Sequence, residues 1–187
     1  MTGQVIWITG LSGAGKTTVA EQLTLRIGEL GLNPILLDGD VLRDLFKSTG
    51  VISETYNREA RIKLALKYAH ICKILSSQGF TVVIATISMF REVYGWNRAN
   101  LPNYFEVYLK VPLDELRLRD LKKIYKRYDA GELNNVAGLD LCIDEPLEPN
   151  VTLDFEKQPF LWKSPEIIAE HLISKLEKLC CGVKVQQ

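Results

Sequence analysis

Apolar residues fall into short continuous runs that alternate with stripes at helical spacing. The runs are VIWIT at Val5–Thr9, PILL at Pro34–Leu37, FTVVIA at Phe80–Ala85, Tyr104–Val111 and Val151–Phe155. Runs this short predict strands, and VIWIT and FTVVIA predict strands buried on both faces. Between the first two runs, Val19, Leu23, Ile27 and Leu30 recur at helical spacing from Lys16 on, and Gly31 stops the pattern. A second helix is predicted from about Ser53 to Gln78, with Ile62, Ala65, Ala69, Cys72 and Leu75 on its inner face. Residues 89–100 read as a third. Pro112, Asp114 and Glu115 open a fourth, since proline suits the first turn and acids suit the positive end of the helix dipole. Ser164-Pro165-Glu166 caps a last one, with Ile168, Leu172 and Leu176 inward. Alternating strands and helices predict an α/β fold with a parallel sheet covered on both faces.

Residues 117–150 break this alternation. They begin basic, with Arg117, Arg119, Lys122, Lys123, Lys126 and Arg127, and turn acidic, with Asp140, Asp144, Glu145 and Glu148. No clean period survives after about Tyr128. Two readings stand: a lid over a charged ligand, or a solvated helix face followed by an ordinary loop.

Composition narrows the classes. The 187 residues carry 23 basic and 23 acidic side chains and are 47% hydrophobic, as in a folded, water-soluble domain. One domain over 1–187 is expected from the length. A net charge of zero disfavours a nucleic-acid coat or a polybasic membrane-surface protein. No run approaches the roughly 20 apolar residues that span a bilayer, and the N-terminus does not read as a secretory signal. Cys72, Cys142, Cys180 and Cys181 fit neither zinc nor redox spacing, and free thiols in a reducing cytoplasm are expected. His70 and His171 sit in helical patterns and read as packed or surface residues.

The chemistry is carried by Gly10-Leu-Ser12-Gly13-Ala14-Gly15-Lys16-Thr17, which matches GxxxxGK[ST] between a buried strand and a helix. Backbone N–H groups of such a loop wrap a phosphate, and the helix N-terminus adds a positive dipole end. Lys16 would reach the outer phosphates, and Thr17 would offer a hydroxyl to Mg²⁺. The glycine order does not fit the dinucleotide fingerprint. No DxxG or NKxD element marks a GTPase switch. The third strand ends Ala85-Thr86-Ile87-Ser88, without the acid of a motor ATPase. A small kinase of a nucleotide-like acceptor remains. After the second strand, Asp38-Gly39-Asp40 and Arg43 fall at the carboxyl end of the sheet, where open α/β sheets bind ligands. A carboxylate there can orient a hydroxyl or hold Mg²⁺, and an arginine can grip an anion. The plainer reading is a turn in which Asp caps the next helix.

GLSGAGKTT, LLDGDVLR, ATIS, RDLKKIYKR and AGELNNVAG, in that order, resemble the adenylylsulfate kinase family over about residues 3–155. The resemblance implies a three-layer P-loop kinase fold with a five-stranded parallel sheet and a lid at about 117–150. It implies transfer of the γ-phosphoryl of MgATP to the ribose 3′-hydroxyl of adenylyl sulfate. The segments Phe90-Arg91-Glu92, Trp96-Asn97-Arg98 and Leu101-Pro102-Asn103-Tyr104 are similar to members found with surface-polysaccharide genes. By resemblance, Gly10 to Thr18 bind the ATP phosphates and Arg119 lies near the ATP adenine. Asp38 and Asp40 border the acceptor, with Asp40 at its 3′-hydroxyl and also near the metal. Arg43 and Arg58 grip the acceptor's phosphate and sulfate, and Ile87 and Ser88 line its pocket. The family's serine at Ser88 is labelled a phosphoserine intermediate, although direct in-line transfer needs no covalent step. Lys122 and Lys126 close from the lid, and Asn135 and Val136 match its base-contacting pair. Members are often dimers, which makes a homodimer one expectation.

The departures lie on the acceptor side. The family clamps the acceptor adenine between two phenylalanines. Here one region reads Gly50-Val51-Ile52, with Tyr56 a candidate substitute, and the lid position is Val136. Each lost aromatic face would weaken base stacking by about 1–3 kcal/mol. Arg61, or Ala60 in a register one residue shifted, stands where the family has asparagine, and Cys142-Ile143-Asp144 replaces Pro-Tyr-Glu. The alternative acceptor is therefore another activated nucleotide, such as a cytidine diphosphoramidate of capsule modification.

Overall fold

A computed structural model describes residues 3–49 and 57–183, with side chains to residue 177. The order is β1 (Val5–Thr9), α1 (Lys16–Glu29), β2 (Pro34–Asp38), α2 (Gly39–Ser48), α3 (Arg58–Ser77), β3 (Thr81–Ala85), α4 (Arg91–Asn100), β4 (Tyr104–Lys110), α5 (Leu113–Arg119), α6 (Ile124–Asp129), β5 (Val151–Asp154) and α7 (Pro165–Val183). All five strands run parallel in the order β2-β3-β1-β4-β5. The α/β expectation holds.

Two apolar layers enclose the sheet. Ile6, Ile8, Val83, Phe105 and Val107 pack with α1 and α7 through Val19, Leu23, Ile27, Ile168 and Leu172. The alternate residues Val5, Trp7, Val82 and Ile84 pack with α3 and α4 through Leu64, Ala65, Ala69 and Val93. The period-2 pleat sends successive residues of β1 and β3 to opposite layers, which is why those runs lack polar alternation, whereas β5, at the sheet edge, buries Val151 and Leu153 and exposes Thr152. Leu30, placed inward by the spacing, is 58% exposed, because α1 ends one residue earlier.

The register aligns the site. Asp38 pairs with Ala85, and Ala85 with Ile8. The ends of β1, β2 and β3 therefore meet at one carboxyl edge, beside the point where connections from β1 and β3 leave in opposite directions.

One element goes beyond the expectations. Residues 39–48 form α2, which the apolar pattern left unassigned, because Gly39 sits in its first turn. The expected start of α3 near Ser53, with Tyr56 and Gly50-Val51-Ile52, lies outside the described residues. Its described start is capped by Asn57, whose side chain accepts from the Ala60 N–H at 3.0 Å. Within 117–150, α6 is a short helix whose Tyr125 joins the core at 2% exposure.

Candidate active site

The phosphate loop is built by backbone constraint. Gly10 has φ +152°, and a Cβ there would lie 2.7 Å from the Leu109 carbonyl oxygen, so only glycine lets β1 turn beside β4. Gly15 takes the left-handed conformation at the N-terminus of α1, with φ 85°. Ala14 is fully buried and anchors the loop, while Thr17 and Thr18 are exposed at its mouth. The Ser12 carbonyl accepts from Tyr125 Oη at 2.9 Å, which ties α6 to the loop. Sequence spacing gave no sign of that tie.

Lys16 folds back under the loop and donates from Nζ to the Leu11 carbonyl at 2.8 Å. The residue as a whole is half-buried, but its ammonium lies deep, and burial pushes its pKa from 10.5 to about 8. Asp40 and Asp38 oppose that fall and Lys122 adds to it.

Asp38 caps the next helix, as the plainer reading has it, and also reaches the phosphate loop. One oxygen caps α2, accepting from the Asp40 and Val41 N–H groups at 2.7 and 3.3 Å. The other accepts from Thr17 Oγ1 at 2.7 Å. Asp40, in the first turn of α2, accepts from Arg43 Nη1 at 2.6 Å and is paired with Lys122 Nζ. Partial burial raises the Asp40 pKa, but Lys122 and Arg43 outweigh it and hold the carboxyl below its usual range. The structure thus brings Lys16, Thr17, Asp38, Asp40, Arg43 and Lys122 together. Lys126 is exposed one turn on and bonds Asp120 through its backbone N–H.

The other expected residues are placed in separate clusters. Arg58 forks onto Glu92 at 2.9 and 3.1 Å, reaches Asp144 at 2.8 Å, and lies 5.2 Å over the Phe90 ring. Arg61 donates to the Asn135 carbonyl at 2.7 Å. Asn135 has φ +56°, which asparagine tolerates, and Asp140 accepts from the N–H groups of Asn135 and Val136 at 2.7 Å each. Val136 is buried. The Ser88 hydroxyl bonds Thr86 Oγ1 at 2.7 Å, and Ile87 is fixed through its carbonyl by Thr9 Oγ1 at 2.8 Å. Arg119 is held by Glu115 at 2.8 Å and lies 5.0 Å over Phe155 and 5.8 Å over Trp162. Glu92, Asp144, Phe155 and Trp162 were not among the residues picked from sequence.

Among the described residues, no three or more His, Cys, Asp or Glu side chains form a metal cage. The Thr17 hydroxyl and Asp38 carboxylate form an all-oxygen pair beside the phosphate loop. That fits Mg²⁺, which binds through one or two protein oxygens together with substrate phosphates. Cys72 is buried, and burial pushes its pKa to about 12, so it is a packing residue. His70 tilts against Trp96 on the α3–α4 surface, as a surface histidine. Among the described residues no helix is long and apolar enough to cross a membrane.

The family model described as adenylylsulphate kinase matches residues 2–154. The cytidine diphosphoramidate kinase of Campylobacter jejuni is 38% identical over 90% of this chain and 95% of its own length. The adenylyl-sulfate kinase of Pseudomonas aeruginosa is 36% identical over 92% and 85%. The solved Mycobacterium tuberculosis APS kinase, in complex with AMPPNP and APS, matches with a TM-score of 0.82 at 28% identity, over 94% of this chain and 98% of that one. With a phosphate loop, an acidic strand end and a basic segment converging at one edge, and these relatives, the chain belongs to the adenylylsulfate kinase family and is an ATP-dependent kinase.

Proposed function

We propose that the protein transfers the γ-phosphoryl of ATP to the ribose 3′-hydroxyl of an activated nucleotide, with adenylyl sulfate as the first acceptor. The observation that supports it is the contact set of Asp40 with Arg43 and Lys122, at the start of the helix that follows β2, the strand next but one to β1. The loop and Lys16 hold the ATP phosphates, and Arg119 with Phe155 and Trp162 offers a flat cationic surface for the ATP base. Asp40 orients the acceptor hydroxyl. The hydroxyl oxygen bonds to the γ-phosphorus, the bond to the β,γ-bridging oxygen breaks, and ADP departs. An aspartate held ionised by two cations is a weak proton acceptor, so Asp40 positions the hydroxyl, whose proton is lost late to Asp40 or solvent. Mg²⁺, held by Thr17 with Asp38 or Asp40, would supply neutralisation of the β- and γ-phosphate charge. Ser88 is a pocket wall in this reading.

Arg58 meets the acceptor's anionic groups, and Asn135 and Val136 its base. A coupled assay with MgATP and adenylyl sulfate should show turnover and 3′-phosphorylated product. Folded, ATP-binding protein that turns over neither this nor any other activated nucleotide would end the proposal.

A second reading, cytidine diphosphoramidate as acceptor, is favoured by Val136 at the base position and by Arg61, whose guanidinium braces the Asn135 backbone. A small, braced wall suits a smaller base better than a clamp that has lost its rings. A panel of adenine and cytosine nucleotides decides: strong preference for adenylyl sulfate removes this reading, and the reverse removes the first.

A further inference from the structure

We propose that Asp144 is a positioning residue for acceptor binding, which fixes Arg58 from the far end of the 117–150 segment. The inference rests on the reading that Arg58 meets the acceptor's anionic groups. Asp144 stands at the acidic position of the family's Pro-Tyr-Glu pattern, whose first two residues are replaced here, and the resemblance gives it no role.

The geometry is specific. Asp144 Oδ2 accepts from Arg58 Nη2 at 2.8 Å and from the Arg91 N–H at 3.1 Å. Its Oδ1 accepts from Arg91 Nη2 at 3.1 Å and Nε at 3.3 Å. Glu92 accepts from Nη1 and Nη2 of Arg58, so the two carboxylates share Nη2. Three of the five N–H donors of that guanidinium are thereby engaged on two carboxylates, while Phe90 carries its face. Arg58 is also the first residue of α3, so its root is fixed as well as its head. A long side chain held in this way loses little further freedom when a ligand arrives, and that preorganisation appears as affinity.

Asp144 is suited to this role because its backbone is held independently. Its N–H donates to the Met89 carbonyl at 2.9 Å, and its carbonyl accepts from Tyr94 Oη at 3.2 Å. Both contacts survive a change of side chain. Its side chain is 21% exposed and contacts two arginines and one backbone N–H. Removing its charge therefore releases the arginines more than it disturbs the loop.

The test is steady-state kinetics of Asp144→Asn, Asp144→Glu, Glu92→Gln and Arg58→Ala, with adenylyl sulfate and cytidine diphosphoramidate in turn as acceptor. Asp144→Asn should raise the acceptor KM about 10-fold and leave the ATP KM within about two-fold, with a folded circular dichroism spectrum. Asp144→Glu should recover most of the loss. Asp144→Asn added to Arg58→Ala should raise the KM by less than about two-fold more, because a residue that acts through Arg58 has nothing left to position. If Asp144→Asn does not fold, Glu92→Gln, on the outer side of the same guanidinium, decides with the same expected pattern. Arg58→Ala raising the acceptor KM while Asp144→Asn and Glu92→Gln do not would overturn the inference alone. An unchanged acceptor KM in Arg58→Ala would remove the Arg58 assignment, and the inference with it.

Discussion

Replacing Lys16 with Met should abolish turnover and make the ligand-free protein more stable. Burial lowers the Lys16 pKa from 10.5 to about 8. The charged lysine therefore costs the fold free energy, up to about 3 kcal/mol at 1.36 kcal/mol per pKa unit. Because the folded-state value lies below the unfolded one, this cost is fully present below pH 8. It is relieved as pH rises from about 8 to 10.5, where the unfolded chain binds the proton and the folded chain does not. Met keeps the length and apolar stem but loses the bond to the Leu11 carbonyl. That carbonyl still accepts from the Ala14 N–H at 3.2 Å, so the loss is about 1 kcal/mol. The net gain at pH 7 is about 1–2 kcal/mol, or about 2–8 °C in Tm for a chain of this size. Urea unfolding of both proteins at pH 7 and 9.5 measures it, and their difference isolates Lys16 from every other group that titrates. The gap should narrow at pH 9.5, and ATP should stabilise the wild type far more than the variant. A Lys16→Met protein less stable than wild type at pH 7, or a gap that does not narrow with pH, would refute the reasoning.

Asp40→Ala should lower kcat by about 100-fold or more while metal-free ATP binding, read by calorimetry, changes little, since on the proposed reading Asp40 orients the acceptor hydroxyl and Lys16 with the loop holds the phosphates. Gly10→Ala should destabilise by at least about 2 kcal/mol in urea unfolding, because its Cβ would meet the Leu109 carbonyl at 2.7 Å. Val136→Phe, with its melting temperature checked, should shift the ratio of kcat/KM toward the adenine acceptor by about 10-fold, the scale of one stacked base.

The strands, α1, the phosphate loop and α7 were legible because their signals are local: periodicity, a motif and a cap. α2 was not, because Asp38-Gly39-Asp40 reads as a turn until Asp38 is seen capping the helix that contains Gly39. Leu42 is its buried contact, while Val41 and Leu45 face outward at 68% and 56% exposure, so its apolar stripe points partly the wrong way. The site's cations were found, but the carboxylates that hold Arg58 and the pairing of Arg61 with Asn135 were not. Arg58 bonds residues 34 and 86 positions away, and Arg61 one 74 positions away. Such pairings depend on the sheet register bringing loops to one edge, and no window along the chain contains both partners.

Those partners change what a net charge of zero means for the site. Asp40 is shared by Arg43 and Lys122, Arg58 by Glu92 and Asp144, and Arg119 is held by Glu115. Lys16, the deepest cation, instead bonds a backbone carbonyl. The charges inside the site are therefore met in small shared clusters, with Asp40 between two cations and Arg58 between two carboxylates. An incoming nucleotide exchanges one set of anionic partners for another, and the exchange is cheapest where the existing pair is most exposed. Lys122, at 58% exposure against 39% for Asp40, is in that position, since exposed pairs are worth about 0–1 kcal/mol. Asp144, at 21%, with its backbone tied to Met89 and Tyr94, is not. On the proposed reading, the front of the 117–150 segment gives up its contact to a phosphate at little cost, while the back keeps Arg58 in place to receive the acceptor.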